Sequence, residues 1–443
     1  MSSCTCEKLA FDQEVNQLLR RNYFLNAIEG GIYIGGMAFI SADVILPPFA
    51  KQLGASEIIV SLMPILLRVG FLIPPLFTLP WILRMRHMKP FVNMTGLLQR
   101  CPLLIAGLML IYAYPYYPRL TLIVAILSPF ISGIFGGLSF SAWMELVSRI
   151  IPPQRRASCW ALRALCTGII GLGAGKITQE ILRLIPGVKG YGCLFLIATA
   201  FVFLSYILFL MIREPSQLPP AEPALPSITS VFDLCRQLPD FLRAHPDYTR
   251  FLLSRVVGCG IFLMLPFFSL FALHETGRPP EFLGILVMWQ MAGTIVGNLS
   301  AAYLGDRFGG KLLLILARIL YIGGFLPLFF WHSEAIFAGA FFMSGLATNL
   351  DQVGDKTMGI ELIPVAQRVI LITISTVFIM PAMIAGSLGS VLIRYMHRHI
   401  FPDGLDPFLV ALAISLTCLV ISGLILLSIP EPRRNAASSH RSA

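Results

Sequence analysis

The chain has 443 residues, of which 56% are apolar and 13% charged, and its formal net charge is +10. A soluble domain usually carries about 25% charged residues; here there are too few to coat a globule, and the apolar residues gather in runs of about 20 or more, enough for a helix to cross ~30 Å of hydrocarbon. The composition reads as an all-α polytopic membrane protein and excludes a transmembrane β-barrel, whose segments are ~10 residues of alternating hydrophobicity.

Residues 1–23 read as a cytoplasmic N-terminal segment, since Glu7, Asp12 and Glu14 stand where a signal peptide needs an apolar core. Apolar runs then predict helices at 24–46, 57–82, 91–113, 120–146, 158–183 and 190–212, giving an N-terminal six-helix bundle over 24–212. Residues 213–250 form a cytoplasmic linker. Its first part, REPSQLPPAEPALPS, is Pro-rich and extended. Its second part sets Val231, Phe232, Leu234, Leu238, Phe241 and Leu242 among Asp233, Arg236 and Arg243, a surface-lying amphipathic helix interrupted near Pro239. Six more runs, at 251–273, 281–304, 311–331, 334–352, 367–393 and 407–429, give a C-terminal bundle over 251–429 and leave a cytoplasmic tail at 430–443.

The two bundles are one unit written twice, offset by about 223–225 residues: Asn22-Tyr23 matches Asp247-Tyr248, Gly54 matches Gly277, Gly70 matches Gly293 and Arg84 matches Arg307. A long apolar repeat is the trace of a transporter built from two related bundles around a central path. Twelve helices put both termini on one side. That side carries twenty basic loop residues against seven on the other, which places the termini in the cytoplasm and the protein in the plasma (inner) membrane. Because the basic residues lie in short loops and not on one face, no nucleic acid partner is expected.

Nine cysteines are scattered without four-ligand zinc spacing, and no metal or other cofactor is expected. GLGAGK at Gly171–Lys176 lacks the glycine and the Ser/Thr of a phosphate loop, having Ile170 and Ile177 there, so Gly171 and Gly175 read as close helix packing. With no nucleotide engine and no G-x-S-x-G or H-E-x-x-H motif, the chain is not read as an enzyme.

An ionisable group in hydrocarbon costs at least ~2.5–3.5 kcal/mol, so one that remains faces a partner or a water-filled cavity. On the first helix, Asn26, Glu29, Tyr33, Gly36 and Asp43 share one stripe. Glu29 reads as a substrate or proton site, or as half of a structural salt bridge; Asp43 reads as a ligand contact or an interfacial group. Arg68, central in the second helix, is either a cationic contact for an anionic substrate or a partner for Glu29, and Arg100 is similarly central in the third. Lys176 and Glu180 on the fifth helix form a self-neutralising i,i+4 pair or line a cavity. Arg255 reads as an interfacial snorkeller. Trp289 and Gln290, opposite Arg68 in the repeat, suit ligand contact or packing. Few charges remain mid-helix in the second copy, which weights the chemistry toward the first.

Twelve helices, a central linker and the two-fold repeat resemble the major facilitator superfamily, whose local motif is G-x-x-x-D-R-x-G-R/K-R/K after the second helix of a half. The eighth helix ends AYLGDRFGGK, where Asp306, Arg307 and Gly309 match, Ala302 replaces the first Gly and Lys311 remains of the basic pair. The first half, LPWILRMRHMKP, keeps Arg84, Arg86 and Lys89 without the Asp or the Gly. The turns WMELVSRIIPPQRRASCWALR and GIELIPVAQRVIL share a Pro-then-Arg pattern, and Glu145 and Arg163 flank the first, positioned to pair across it. The resemblance implies that Glu145, Arg163, Asp306, Arg307 and Lys311 lock the cytoplasmic side. It also implies that first helices line the cavity and third helices pack away from it, which makes Arg100 structural. The implied activity is secondary transport of a small solute by alternating access in a monomer; separately, Arg68, Lys176 and Arg100 tilt the solute toward an anion, and Glu29 permits proton coupling. A receptor or scaffold that moves nothing, or a lipid or drug translocator, is the alternative.

Overall fold

The computed structural model describes residues 2–75, 77–78, 85, 87–215, 231–363 and 369–430, and within them it is helical without strands. Arg84, Arg86, the linker residues 216–230 and the turn at 364–368 lie outside the described residues. Among the described residues ten helices are long and apolar enough to cross a membrane. Of the twelve expected spans, the second is represented by Glu57–Leu72, with 16 residues. The tenth, Glu334–Leu362, has 29 and is more polar because it carries Asp351, Gln352, Asp355 and Lys356.

Helix α1 is Ser2–Met37, beginning well before the expected residue 24. The segment 2–23 has no Pro or Gly and is rich in Leu, Gln, Glu, Lys and Arg, so the helix propagates through it. It ends earlier than expected. A 3₁₀ turn at Ala38–Ile40 and a non-helical stretch precede α2 (Leu46–Gln52), whose first turn holds Pro47 and Pro48. Proline fits a helix N-terminus and biases its predecessor away from helix. Asp43 therefore sits in a turn, off the α1 stripe it was assigned to.

The other helices are α3 (Glu57–Leu72), α4 (Lys89–Leu108), α5 (Pro118–Ile150), α6 (Pro153–Leu184), α7 (Val188–Leu210), α8 (Val231–Ala244), α9 (Pro246–Gly258), α10 (Leu265–Thr276), α11 (Phe282–Phe308), α12 (Gly310–Phe325), α13 (Glu334–Leu362), α14 (Val369–His399) and α15 (Pro407–Leu427). The first helix of the second half repeats the interruption of the first: a 3₁₀ turn at Cys259–Leu263 separates α9 from α10, which opens with Pro266. The linker helix α8 runs through Pro239 unbroken; Pro239 is exposed and removes a single N–H. Leu238, Phe241 and Leu242 of α8 do not lie on a bare surface. They pack against Tyr248, Phe251, Leu314, Met358 and Leu426.

The chain forms two compact units. One gathers residues 1–40, 66–174 and 187–231, the other 41–65, 175–186 and 232–443. In the first unit α4 packs on α5 and α7, and α1 on α7, around Ala27, Val92, Ala142, Leu146 and Phe209. In the second, α13 packs on α11 and α12, and α15 on α9 and α12. Gly175 belongs to this unit; a Cβ there would stand 2.7 Å from the Gly284 carbonyl oxygen, so this glycine is a close-packing position.

The repeat seen in the sequence is also a repeat of contacts. A Cβ on Gly70 would stand 2.3 Å from the Phe130 carbonyl oxygen, and one on Gly293 1.9 Å from that of Phe342, so the second helix of each half meets the fourth backbone to backbone. Gly54 and Gly277, the other matched pair, both have positive φ, 77° and 61°. Lys89 Nζ donates to the Leu210 carbonyl at 3.0 Å, and Lys311 Nζ to that of Leu427 at 3.3 Å, each lysine tying the third helix of its half to the end of the sixth. Gly293→Ala is expected to force α11 and α13 apart and cost about 1–3 kcal/mol, read as a lower Tm of the purified protein. An unchanged Tm would mean that the contact at Phe342 is not tight.

Candidate functional site

The first unit holds a buried polar cluster built by four helices. From α1 come Asn26, Glu29 and Tyr33, from α4 Gln99 and Arg100, from α6 Cys159 and Arg163, and from α7 Ser205. Asn26, Glu29 and Tyr33 recur every three or four residues, which brings all three to one face of α1. Ser205 donates to Glu29 Oε1 at 2.9 Å, and Arg163 Nη1 is an ion-pair partner 3.7 Å from Glu29 Oε2. Gln99 donates to the Tyr33 hydroxyl at 2.7 Å. Arg100 donates to the carbonyls of Val202 and Gly96 and, at 3.4 Å, to Ser205. Its guanidinium lies 4.9 Å from the Tyr206 ring centroid and 5.7 Å from that of Tyr33. Arg100 is structural in that it ties α4 to α7, yet it also belongs to the cluster.

Arg163 crosses α1 at Gly30, where a Cβ would lie only 1.8 Å from Cζ. Its guanidinium stands 4.8 Å from the Trp143 ring centroid and 5.4 Å from that of Trp160. The pairing of Glu145 with Arg163 expected from the sequence is not made: Glu145 takes Arg149, one turn along α5, at 2.9 Å, while Arg163 points the other way, to Glu29. Near the end of α7, Glu214 accepts from the backbone N–H groups of Met88 and Lys89, both at 3.1 Å. It also accepts from Arg149 at 3.4 Å. This carboxylate caps the N-terminus of α4 in a half that lacks the motif aspartate.

The second unit has its own buried cluster, which corrects the expectation that few charges remain mid-helix there. Asp351 of α13 binds Arg255 of α9 at 2.6 Å and also Arg318 of α12; Asp355 lies 2.9 Å from Arg255 Nε. Arg318 Nε donates to Ser422 at 3.0 Å, and Ser422 is bonded to Ser254. Arg255 is thus a paired core residue and not an interfacial snorkeller. The helix expected to stop at 352 continues to Leu362, which brings Asp351 and Asp355 to one face. A lone Arg318 in the run KLLLILARILYIGGF and two carboxylates four residues apart were the available signals.

The remaining assigned residues are dispersed. Lys176 binds Glu180 at 2.9 Å and Gln179 at 3.1 Å, and Arg183 binds Glu180 at 2.5 Å, the self-neutralising arrangement. Arg68 on α3 is half-buried. Gln290 is buried and accepts from Ser41 at 3.4 Å, while Trp289 is exposed and meets Phe342 edge-on. These two neighbours on α11 face different surroundings. Arg307 donates to Tyr303 of its own helix at 3.0 Å; the side chain of Asp306 lies outside the described residues. Gly309 ends α11 at φ 85°, a conformation that explains why glycine is needed at that motif position.

No protein-family model and no curated protein matches the sequence. Solved structures match closely in fold. A D-xylose–proton symporter superposes with a TM-score of 0.68 at 13% identity, covering 94% of this chain and 99% of that one. A nucleoside transporter gives 0.63 at 11%, covering 93% and 99%. A bacterial homologue of the human lysosomal transporter Spinster, inward-facing and occupied, gives 0.59 at 14%, covering 92% and 96%. The chain therefore has the major facilitator fold and is a multi-pass integral membrane protein.

Proposed function

We propose that the protein is a secondary transporter that moves a small solute across the plasma (inner) membrane by alternating access, without catalysis, as a monomer with both termini in the cytoplasm. The observation that carries this reading is the Glu29 cluster. A carboxylate and two guanidiniums are kept buried in a fold shared with transporters, and the set is only partly satisfied: Glu29 Oε2, Asn26 Nδ2, and Arg163 Nε and Nη1 lack hydrogen-bond partners among the described residues. Structural ion pairs are normally completed by further hydrogen bonds. An incomplete one suits a group that exchanges partners during a cycle. In this reading Asn26, Glu29 and Tyr33 face the solute and Glu29 is the proton-coupling group. The self-paired Lys176 and Glu180 are structural.

The test is flux in proteoliposomes. A solute panel is screened for uptake driven by a pH gradient, with Glu29→Gln as the comparison. Gradient-driven uptake is expected to fall at least tenfold in the variant while solute exchange across equal pH persists. Equal gradient-driven uptake in both proteins removes Glu29 from coupling. Absence of flux for every solute, in protein that still binds one of them, favours a receptor.

A further inference from the structure

The two buried clusters differ in their charge. In the second unit Arg255 and Arg318 face Asp351 and Asp355, two cations against two anions. In the first, the charged side chains that meet in the cluster are Glu29, Arg100 and Arg163, two cations against one anion. An uncompensated charge away from water is strongly unfavourable, so the first cluster is short of one negative charge.

Geometry shows where that charge belongs. Arg100 spends its donors on two backbone carbonyls and Ser205. Arg163 does not: with the residue 9% exposed, its Nη1 faces Glu29 Oε2 as an ion pair at 3.7 Å, yet among the described residues neither Nε nor Nη1 has an acceptor in hydrogen-bonding geometry, and the indoles of Trp143 and Trp160 contribute ring faces, which accept no conventional hydrogen bond. Asn26, 1% exposed, lies one turn before Gly30, the residue Arg163 crosses. The thiol of Cys159, one turn before Arg163, lies 3.7 Å from Asn26 Oδ1. That contact occupies the acceptor end of the amide, while Nδ2 lacks a partner. Three buried donors, two of them cationic, thus lack acceptors at the crossing of α1 and α6. Guanidinium and amide donors together are the usual recognition set for an oxyanion.

We propose that Arg163 and Asn26 bind the oxyanion group, carboxylate or phosphate, of a soluble solute, which makes the transported solute an anion. The inference rests on the transporter reading for its biological meaning and on the orphan donors for its chemistry. Oxyanion binding supplies the missing charge and stabilises the folded protein in proportion to ligand concentration.

The experiment measures Tm of the purified full-length protein in rising concentrations of sodium acetate and inorganic phosphate, with chloride holding ionic strength constant. At least one oxyanion is expected to raise Tm over the chloride control in a saturable way. Asn26→Asp places a carboxylate on the same α1 position; its Tm without oxyanion is expected to match or exceed the parent's, and its oxyanion response to disappear. Arg163→Gln is expected to lose the response as well. No rise with either anion, or an Asn26→Asp protein that responds like the parent, overturns the proposal. A parallel series in phosphatidylcholine nanodiscs with or without phosphatidylglycerol separates a soluble anion from a lipid headgroup, and stabilisation by the anionic lipid alone also overturns it. Failure here is distinct from failure of the transporter reading. A neutral solute carried at equal rates by the parent and Arg163→Gln sinks the anion site and keeps transport, whereas oxyanion binding without flux keeps the site and sinks transport.

Discussion

Replacing Asp351 by alanine is expected to be the most damaging single truncation in the second unit, lowering stability by about 3–5 kcal/mol. Its carboxylate binds two guanidiniums, Arg255 and Arg318, with the side chain of Arg318 5% exposed and that of Arg255 15%. Removing it leaves two buried cations, one of which retains Asp355. Among the described residues Asp355 pairs with Arg255 alone, and its side chain is 33% exposed, so Asp355→Ala should cost distinctly less. Unfolding of the two variants in denaturant, compared with the double variant, measures both the order and the coupling. If Asp355→Ala is as harmful as Asp351→Ala, the assignment of Asp351 as the shared counter-ion fails.

Glu29→Ala is expected to have a comparable effect in the first unit, again about 3–5 kcal/mol. It strips Arg163 of its ion-pair partner and Ser205 of the acceptor for its hydroxyl. Glu29→Gln keeps an acceptor for Ser205 and should recover part of the loss. Trimming Arg163 as well removes the orphaned cation, so Glu29→Ala with Arg163→Ala should be less harmful than the sum of the two. A strictly additive pair would show that Glu29 and Arg163 are not energetically coupled at 3.7 Å.

Much of the architecture was legible in the sequence because hydrocarbon imposes a length and a composition on each span. The runs at 190–212 and 407–429 lie within a few residues of α7 and α15. The matched glycines were legible too, and they mark places where backbones touch or φ turns positive. Boundaries went astray where polar helix continues an apolar span: at α1, which starts at Ser2, and at α13, which runs on past Asp355. There, helix formation follows propensity and packing, which hydropathy does not register. In the site, Glu29 stood out as a carboxylate in an apolar run, and its stripe correctly gathered Asn26 and Tyr33. Its partner was misassigned: the sequence offered Arg68 to Glu29 and Arg163 to Glu145. Arg163 looks like a loop-flanking residue in ALRALC, and only the glycine at position 30 lets it reach across α1. A pairing that depends on the absence of a Cβ on another helix leaves no local pattern. Asp43 erred in the opposite sense, because a helical wheel drawn past Ile40 ignores what Pro47 and Pro48 do to the chain before them.

The equivalence of Lys89 with Lys311 extends further along the same helices. Ser205 and Ser422 each stand five residues before the carbonyl their lysine reaches, and each accepts from an arginine of the third helix of its half. Glu29 and Ser254 occupy the matching place on the two first helices, and each is the hydroxyl's neighbour. The same arginine–serine contact thus recurs in both halves, while the carboxylate lies on the first helix in one and on the fourth in the other. The arginines themselves stand at different steps of the third helix, eleven residues past Lys89 and seven past Lys311, so the contact recurs while its register differs. A half whose anion rides on its own first helix and a half whose anion rides on its fourth set their guanidiniums in different surroundings and are free to answer to different ligands.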